Sequence, residues 1–194
     1  MVTITTMEDP LKWKLLKSDY LFHDTWLKAR RDVCERPDGK IVEPYYVMEY
    51  MTWVTGVAFT ENNEIIMVRQ YRHALGESCI ETPGGCVDDT DASLEVSVRR
   101  ELLEETGYEF TTAEYLGRTS PNPSTNNNLM HMFLLQGGKK VQEQELDHNE
   151  EMEVHLYSLE ELFGMLDRNE IVQSMHVTAI FFALKKMGLI KFPL

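Results

Sequence analysis

Cysteine is scarce in this chain. Cys34, Cys79 and Cys86 are the only three in 194 residues. Odd in number, widely spaced and without a CxxC or His/Cys cluster, they favour neither a disulfide framework nor a structural zinc site. A reducing compartment, the cytoplasm, suits them. Long apolar runs are missing as well: no stretch of about 18 consecutive apolar residues occurs, and Met1 to Lys14 lacks the basic-then-apolar layout of a signal peptide, so no membrane partner is expected. Positive charge is in short supply. Lys and Arg number 19 against 32 Asp and Glu, a net charge of −13. Affinity for a phosphate backbone comes mainly from clustered Lys and Arg, so nucleic acid is not the expected partner either. Internal repeats and low-complexity segments are absent.

The 43% apolar content is enough for one well-packed domain with a small appendage, but not for two full-sized domains. The carboxylate excess suits cation binding, although most acidic side chains are expected on the solvated surface. From Trp13 to Cys34 aromatics mix with charges, and Arg36-Pro37-Asp38-Gly39-Lys40 supplies a turn between two extended stretches, a β-hairpin whose second arm runs from Ile41 to Tyr50. Two strands rich in β-branched and aromatic residues follow, Trp53 to Phe59 and Ile65 to Val68, around a turn at Glu61 to Glu64. A helix fits Ala92 to Thr106, capped by Asp91 or Ser93, with a Leu94, Val98, Leu102 stripe and a stop at Gly107. Further strands are expected at Glu114 to Arg118, Met130 to Leu135 and Glu153 to Tyr157, with a Pro- and Asn-rich loop from Ser120 to Asn128. Helices return at Leu159 to Asp167 and Val172 to Met187. Strands interrupted by helices in this way imply an α/β or α+β sandwich.

The chemistry concentrates in Glu81-Thr82-Pro83-Gly84-Gly85, a short acidic loop, and Arg100-Glu101-Leu102-Leu103-Glu104-Glu105-Thr106-Gly107-Tyr108. Positions i, i+3 and i+4 share a helix face, so Glu101, Glu104 and Glu105 project together and repel one another. Such a cluster calls for cations. Arg100 can pair with Glu104 one turn on, and Mg²⁺, which prefers oxygen ligands and sits between carboxylates and substrate phosphates, can take the remaining oxygens. An ordinary solvated Glu/Arg helix face is the alternative for the three carboxylates taken alone; the Gly-Gly loop before them and the Gly stop after them favour the metal.

Arg-Glu-Leu-Leu-Glu-Glu-Thr-Gly-Tyr resembles the second half of the Nudix box, whose pattern is Gly, five residues, Glu, seven residues, then Arg-Glu-apolar-any-Glu-Glu-any-Gly-apolar. The first half departs from it: Ala92 stands where the family has its loop Glu, with Asp91 beside it, and Gly85 lies one residue too far away. A one-residue insertion within Cys86 to Asp91 explains both. The resemblance implies that Glu101 and Glu105 are the main metal ligands, that Glu104 contributes to a metal or its water shell, that the Gly84 carbonyl completes a coordination shell and that Arg100 orients the carboxylates. It also implies attack of a metal-activated water on one phosphorus of a diphosphate.

Val68-Arg69-Gln70-Tyr71-Arg72 followed by Glu81 to Gly85 resembles the ADP-ribose pyrophosphatase branch of the family, in which Arg72 would face substrate phosphates or Glu81. Pro123 stands at the distance from Tyr108 at which this branch carries a substrate-side proline. The stretch Thr125 to Phe133 lacks the branch's usual Gly and acidic residue. His131 could hydrogen-bond substrate or be structural. Asp147-His148-Asn149-Glu150-Glu151 matches the loop that supplies a water-activating carboxylate, Glu150 first and Glu151 second. Residues 1–50 resemble the strand-rich appendage through which these enzymes form homodimers; Trp26 and Trp53 would bury there or in the core, and Tyr46 or Trp53 could stack on a base. The expectation is therefore a Nudix α/β/α sandwich with a mixed sheet over residues 51–194, a small N-terminal β appendage, and Mg²⁺-dependent (Mn²⁺ as substitute) hydrolysis of a nucleoside diphosphate derivative such as ADP-ribose. GDP-mannose, NADH and dinucleoside polyphosphates are rival substrates. A non-catalytic nucleotide sensor is the rival from another class.

Overall fold

The computed structural model describes residues 9–25 and 27–191, which fall into two compact units; Trp26 lies outside the described residues. The first unit is a three-stranded antiparallel sheet of β1 (Lys14–His23), β2 (Lys28–Glu35) and β3 (Ile41–Glu49). The Pro-Asp-Gly segment closes the expected hairpin between β2 and β3, where the Arg36 N–H donates to the Lys40 carbonyl (2.9 Å) and the Gly39 N–H to that of Arg36 (2.9 Å). Residues Asn122–Asn128 join this unit: the Met48 N–H donates to Thr125 (2.7 Å), and the Met48 carbonyl accepts from Asn127 (3.2 Å). Arg30 donates to buried Asp32 and to Glu49, 2.7 Å away. Leu15, Tyr20, Leu21, Phe22, Ile41 and Tyr46 remain exposed on these strands.

The second unit is built on a seven-stranded mixed sheet. Its strands are β4 (Trp53–Thr60), β5 (Ile65–Arg72), β6 (Glu77–Glu81), β7 (Tyr108–Glu109), β8 (Thr112–Thr119), β9 (Met130–Lys140) and β10 (Met152–Tyr157); its helices are α1 (Leu94–Thr106), α2 (Leu159–Asp167) and α3 (Ser174–Lys186). β4 and β9 pair in parallel at the centre, and the remaining pairs are antiparallel. The central strands are mainly apolar, Thr55 and His131 among the exceptions, because both faces are covered. Successive residues then divide between two cores. Val57 and Phe59 of β4 and Met130, Met132 and Leu134 of β9 pack with α2 and α3, whereas Val54, Ala58, Phe133 and Leu135 pack with Val98 and Leu102 of α1. Each such side chain contributes roughly 1.5–3 kcal/mol on burial. The result is the α/β/α sandwich that the pattern implied.

Several boundaries differ from expectation: the first arm, Trp13 to Cys34, is two strands, β1 and β2, and β5 and β9 run on to Arg72 and Lys140. α1 starts at Leu94, not Ala92, because Ser93 is the cap, its Oγ accepting from the Val96 N–H at 3.2 Å, while Asp91 is engaged elsewhere. It ends at Gly107, whose φ of 76° suits a residue without Cβ and whose N–H donates to Leu103. α3 begins at Ser174, two residues after Val172, with Ile171 buried ahead of it. β6 was not expected as a strand, since its two glutamates mask the pattern. α2 carries a capping box between Ser158 and Glu161. Among the described residues no helix is long and apolar enough to cross a membrane.

Candidate active site

After β6 the chain runs Thr82-Pro83-Gly84-Gly85 alongside β4: the Val54 N–H donates to the Gly85 carbonyl (2.9 Å) and the Gly56 N–H to that of Pro83 (3.0 Å). Gly84 has φ +148°, and a Cβ there would lie 2.2 Å from the Val54 carbonyl oxygen. No other residue fits without displacing backbone. A Cβ on Gly85 would come within 2.5 Å of Glu101 Oε2, so the turn and the α1 carboxylates are packed face to face.

The buried Glu105 side chain accepts the Gly84 N–H at 2.8 Å. Burial drives its pKa well above the usual carboxylate range, with that hydrogen bond opposing and the charges of Glu101 and Glu150 adding to the rise. Glu101 is pushed up to about 7, chiefly by burial, against the pull of Arg100 and with help from Glu104 and Glu150. Glu104, on the same face, is more open and accepts from Arg100 at 3.0 Å. Two carboxylates so disfavoured as anions stay ionised at neutral pH only beside a cation. Among the described residues no three His, Cys, Asp or Glu side chains converge as a complete metal site. Mg²⁺ takes one or two carboxylates, backbone oxygen, waters and substrate phosphate, and Glu101, Glu105 and the Gly84–Gly85 turn packed against them offer donors of that kind.

Arg100 is the hub of the helix face. It donates to both oxygens of Asp91 (Nε–Oδ1 3.2 Å, Nη2–Oδ2 2.9 Å), to Glu101 (3.0 Å), to Glu104 and to the Cys86 carbonyl (3.1 Å). The Asp91 side chain is 5% exposed, and the guanidinium holds its carboxyl far below the usual range. Asp91 thus anchors Arg100 across the lengthened loop, and Ala92 is exposed. Arg72 grips buried Glu81 with two donors, Nε–Oε1 at 2.9 Å and Nη2 to Oε2. The charge of Glu105 also acts on Arg72. Glu150 lies near enough to raise the pKa of both Glu101 and Glu105, and it accepts from the Asp147 N–H; Glu151 is exposed.

His131 sits on β9 with its Nδ1 2.9 Å from the Tyr115 hydroxyl, a partner of its own that accounts for it without substrate. Pro123 belongs to the first unit and is not among the residues that the second unit brings together. Tyr46 is exposed on β3 of the first unit, and Trp53 packs against the α2/α3 core. Several residues were missed from sequence. Gln144 donates from Nε2 to the Glu105 carbonyl (2.7 Å), and the Glu145 N–H donates to that of Glu104 (2.8 Å), tying the segment before Glu150 to the end of α1. Thr55, Thr82 and His176 form a buried chain reaching Glu81. Thr82 lies within the Glu81–Gly85 motif, whereas the only sign of Thr55 and His176 is a polar residue within an apolar pattern.

A family model described as the NUDIX domain matches residues 51–176, and another, the nucleoside diphosphate sugar hydrolase N-terminal domain, matches residues 13–48. The chain belongs to the Nudix family. It is 30% identical over 169 residues to the ADP-ribose pyrophosphatase of Mycobacterium tuberculosis, covering 87% of this chain and 81% of the relative. To the methanol dehydrogenase activator of Bacillus methanolicus it is 29% identical over 168 residues, covering 86% and 90%. A crystal structure of an ADP compounds hydrolase superposes with a TM-score of 0.80 at 20% identity, covering 95% of this chain and all of that one, a likeness of fold. The chain is therefore a Nudix hydrolase of the ADP-ribose pyrophosphatase-like branch, in a family whose hydrolases generally use divalent metal ions.

Proposed function

We propose that this Nudix hydrolase is a Mg²⁺-dependent pyrophosphohydrolase that cleaves the diphosphate of a nucleotide sugar, ADP-ribose foremost, to two monophosphates. The observation that carries the reading is the pair of buried carboxylates, Glu101 and Glu105, packed against the Gly84–Gly85 turn with pKa values raised by burial. Likeness to ADP-ribose pyrophosphatases supports the substrate class. Glu101, Glu105 and the Gly84 carbonyl would hold Mg²⁺, with Glu104 serving its water shell and Mn²⁺ able to replace it. When bound, the ion lowers the pKa of a water and neutralises charge on the diphosphate.

The chain's own residues do the rest. Arg72, steadied by Glu81, offers its half-exposed guanidinium to a phosphate. Glu150 takes the proton of the attacking water as the bond between phosphorus and the bridging oxygen breaks, with Glu151 as the second candidate. Arg100, itself anchored by Asp91, orients Glu101 and Glu104. The exposed apolar side chains of β1 to β3 support a homodimer formed through the first unit. Three free cysteines suit the cytoplasm.

The test is phosphate release, coupled through a phosphatase, from ADP-ribose, GDP-mannose, NADH and diadenosine polyphosphates with Mg²⁺, with Mn²⁺ and with chelator. Metal-dependent turnover highest on ADP-ribose is expected. Highest turnover on another member overturns the substrate; tight binding of ADP-ribose with no turnover of any member overturns the activity in favour of a sensor.

A further inference from the structure

His176 lies in the first turn of α3, 6% exposed, on a helix whose other buried residues are mainly apolar. Burying an imidazole costs free energy unless its nitrogens find partners. Both ring nitrogens lie beside the stretch that leads into the Gly84–Gly85 turn. Nδ1 is within hydrogen-bond reach of Thr82 Oγ1, and Nε2 lies 3.6 Å from Glu81 Oε2. Thr82 Oγ1 is in turn 2.7 Å from Thr55 Oγ1, which donates to the Pro83 carbonyl at 3.0 Å.

We infer that His176 is a positioning residue for the active site, fixing the Glu81–Gly84 backbone through Thr82 and the orientation of Glu81 toward Arg72. The inference rests on the function proposed above. The three hydrogen bonds alone admit either tautomer of the ring; the neighbouring Glu81 carboxyl chooses between them. Hydrogen on Nδ1 would leave a bare Nε2 lone pair facing the Glu81 oxygen that Arg72 grips, 3.6 Å away, so Nε2 carries the hydrogen. A neutral ring then leaves Nδ1 as an acceptor, and the Thr82 hydroxyl donates to it. Thr55 fills the last place, sharing its hydrogen between Thr82 Oγ1 and the Pro83 carbonyl. The ring is neutral at physiological pH, because burial presses its pKa down to about 4. All hydrogens in this chain therefore point from Thr55 toward Glu81. The backbone so clamped carries the Gly84 N–H that Glu105 accepts, so movement at Thr82 passes directly to the carboxylate face. An apolar side chain of the same size would fill the space but leave the Thr82 hydroxyl with Thr55 alone and Glu81 with Arg72 alone.

The full chain carrying His176→Leu is compared with His176→Asn, whose amide oxygen can replace the Nδ1 acceptor. Thermal midpoint, Mn²⁺ affinity by electron paramagnetic resonance with the metal alone, and kcat and KM are measured for each. His176→Leu should lose about 10- to 100-fold in Mn²⁺ affinity and kcat, as loss of outer partners of metal ligands does, with KM changed far less. His176→Asn should recover most of both losses even where its midpoint stays low. Wild-type Mn²⁺ affinity and kcat in a folded His176→Leu would overturn the inference, as would failure of His176→Asn to recover either. Should His176→Leu not fold, ¹⁵N resonances of the wild-type ring decide: hydrogen on Nε2 supports the clamp, and hydrogen on Nδ1 overturns it. Mn²⁺ affinity and tautomer do not depend on which substrate is cleaved, so failure of the substrate reading remains distinguishable.

Discussion

Replacing Asp91 with Ala removes two charge-assisted hydrogen bonds from Arg100, at 3.2 and 2.9 Å. Bonds to charged groups contribute about 1.5–3 kcal/mol each, which sets an upper limit near 6 kcal/mol. The true cost is smaller. Arg100 keeps Glu101, Glu104 and the Cys86 carbonyl as acceptors, and its side chain is 31% exposed, so water reaches the guanidinium. About 2–3 kcal/mol is the resulting expectation, or roughly 4–12 °C in thermal midpoint for a chain of this length. Because Asp91 titrates below its unfolded value near 3.9, the stabilisation is present above that value and is lost only as pH falls further. The gap between wild type and variant should therefore stay constant from about pH 5 to 8 and close in stronger acid. Differential scanning calorimetry in chelator reads it directly. Adding Ala92→Glu, which restores the family's residue at its aligned position, should not rescue Asp91→Ala, because Ala92 is exposed. An unchanged midpoint for Asp91→Ala, or full rescue by Glu at position 92, would refute the assignment of Asp91 as the anchor of Arg100.

Gly84→Ala forces a methyl to 2.2 Å from the Val54 oxygen at a φ of +148°; destabilisation by more than about 2 kcal/mol in urea titrations is expected, with turnover lost even where the fold survives. Glu101, held near pH 7 without metal, favours its neutral form below that pH and its anion above it, so metal must displace a proton and bind more weakly as pH falls from about 8 to 6. Calorimetric titration with Mg²⁺ at pH 7 should give heats that differ between buffers of different ionisation enthalpy, and equal heats would contradict the shift. Glu150→Gln should lower kcat with little change in Mn²⁺ affinity; an unaltered rate would move the base elsewhere in the Asp147–Glu151 segment.

Much of this site was legible because helical spacing is rigid: Glu101, Glu104 and Glu105 had to share a face, and the Gly84–Gly85 turn had to approach something closely. The strands rich in β-branched and aromatic residues and the stripe of Leu94, Val98 and Leu102 likewise pointed to a sheet packed against a helix. Asp91 reads from the sequence as a candidate helix cap beside the family's loop position, not as the partner of Arg100, because one inserted residue changes which side chain of a loop turns inward. β6 was hidden by Glu77 and Glu81; the second of these is buried only because Arg72 pairs with it. The clamp of Thr55, Thr82 and His176 joins residues up to 94 positions apart, a relation that periodicity does not encode. The distance of Pro123 from Tyr108 along the chain carries no sign that Thr125 and Asn127 hydrogen-bond to Met48 of β3.

The central claim is that the α1 carboxylates hold the ion that makes this chain a hydrolase, and Glu105→Gln tests it most directly. The amide oxygen can still accept the Gly84 N–H, and removing a buried carboxylate whose ionisation is disfavoured should leave the chelator-treated protein at least as stable as wild type at pH 8. Mg²⁺ should raise the thermal midpoint of wild type and not of the variant, and turnover of ADP-ribose should fall about a hundredfold or more, beyond the effect of outer partners of metal ligands. A folded Glu105→Gln that keeps wild-type turnover and the same Mg²⁺-induced rise would contradict the account.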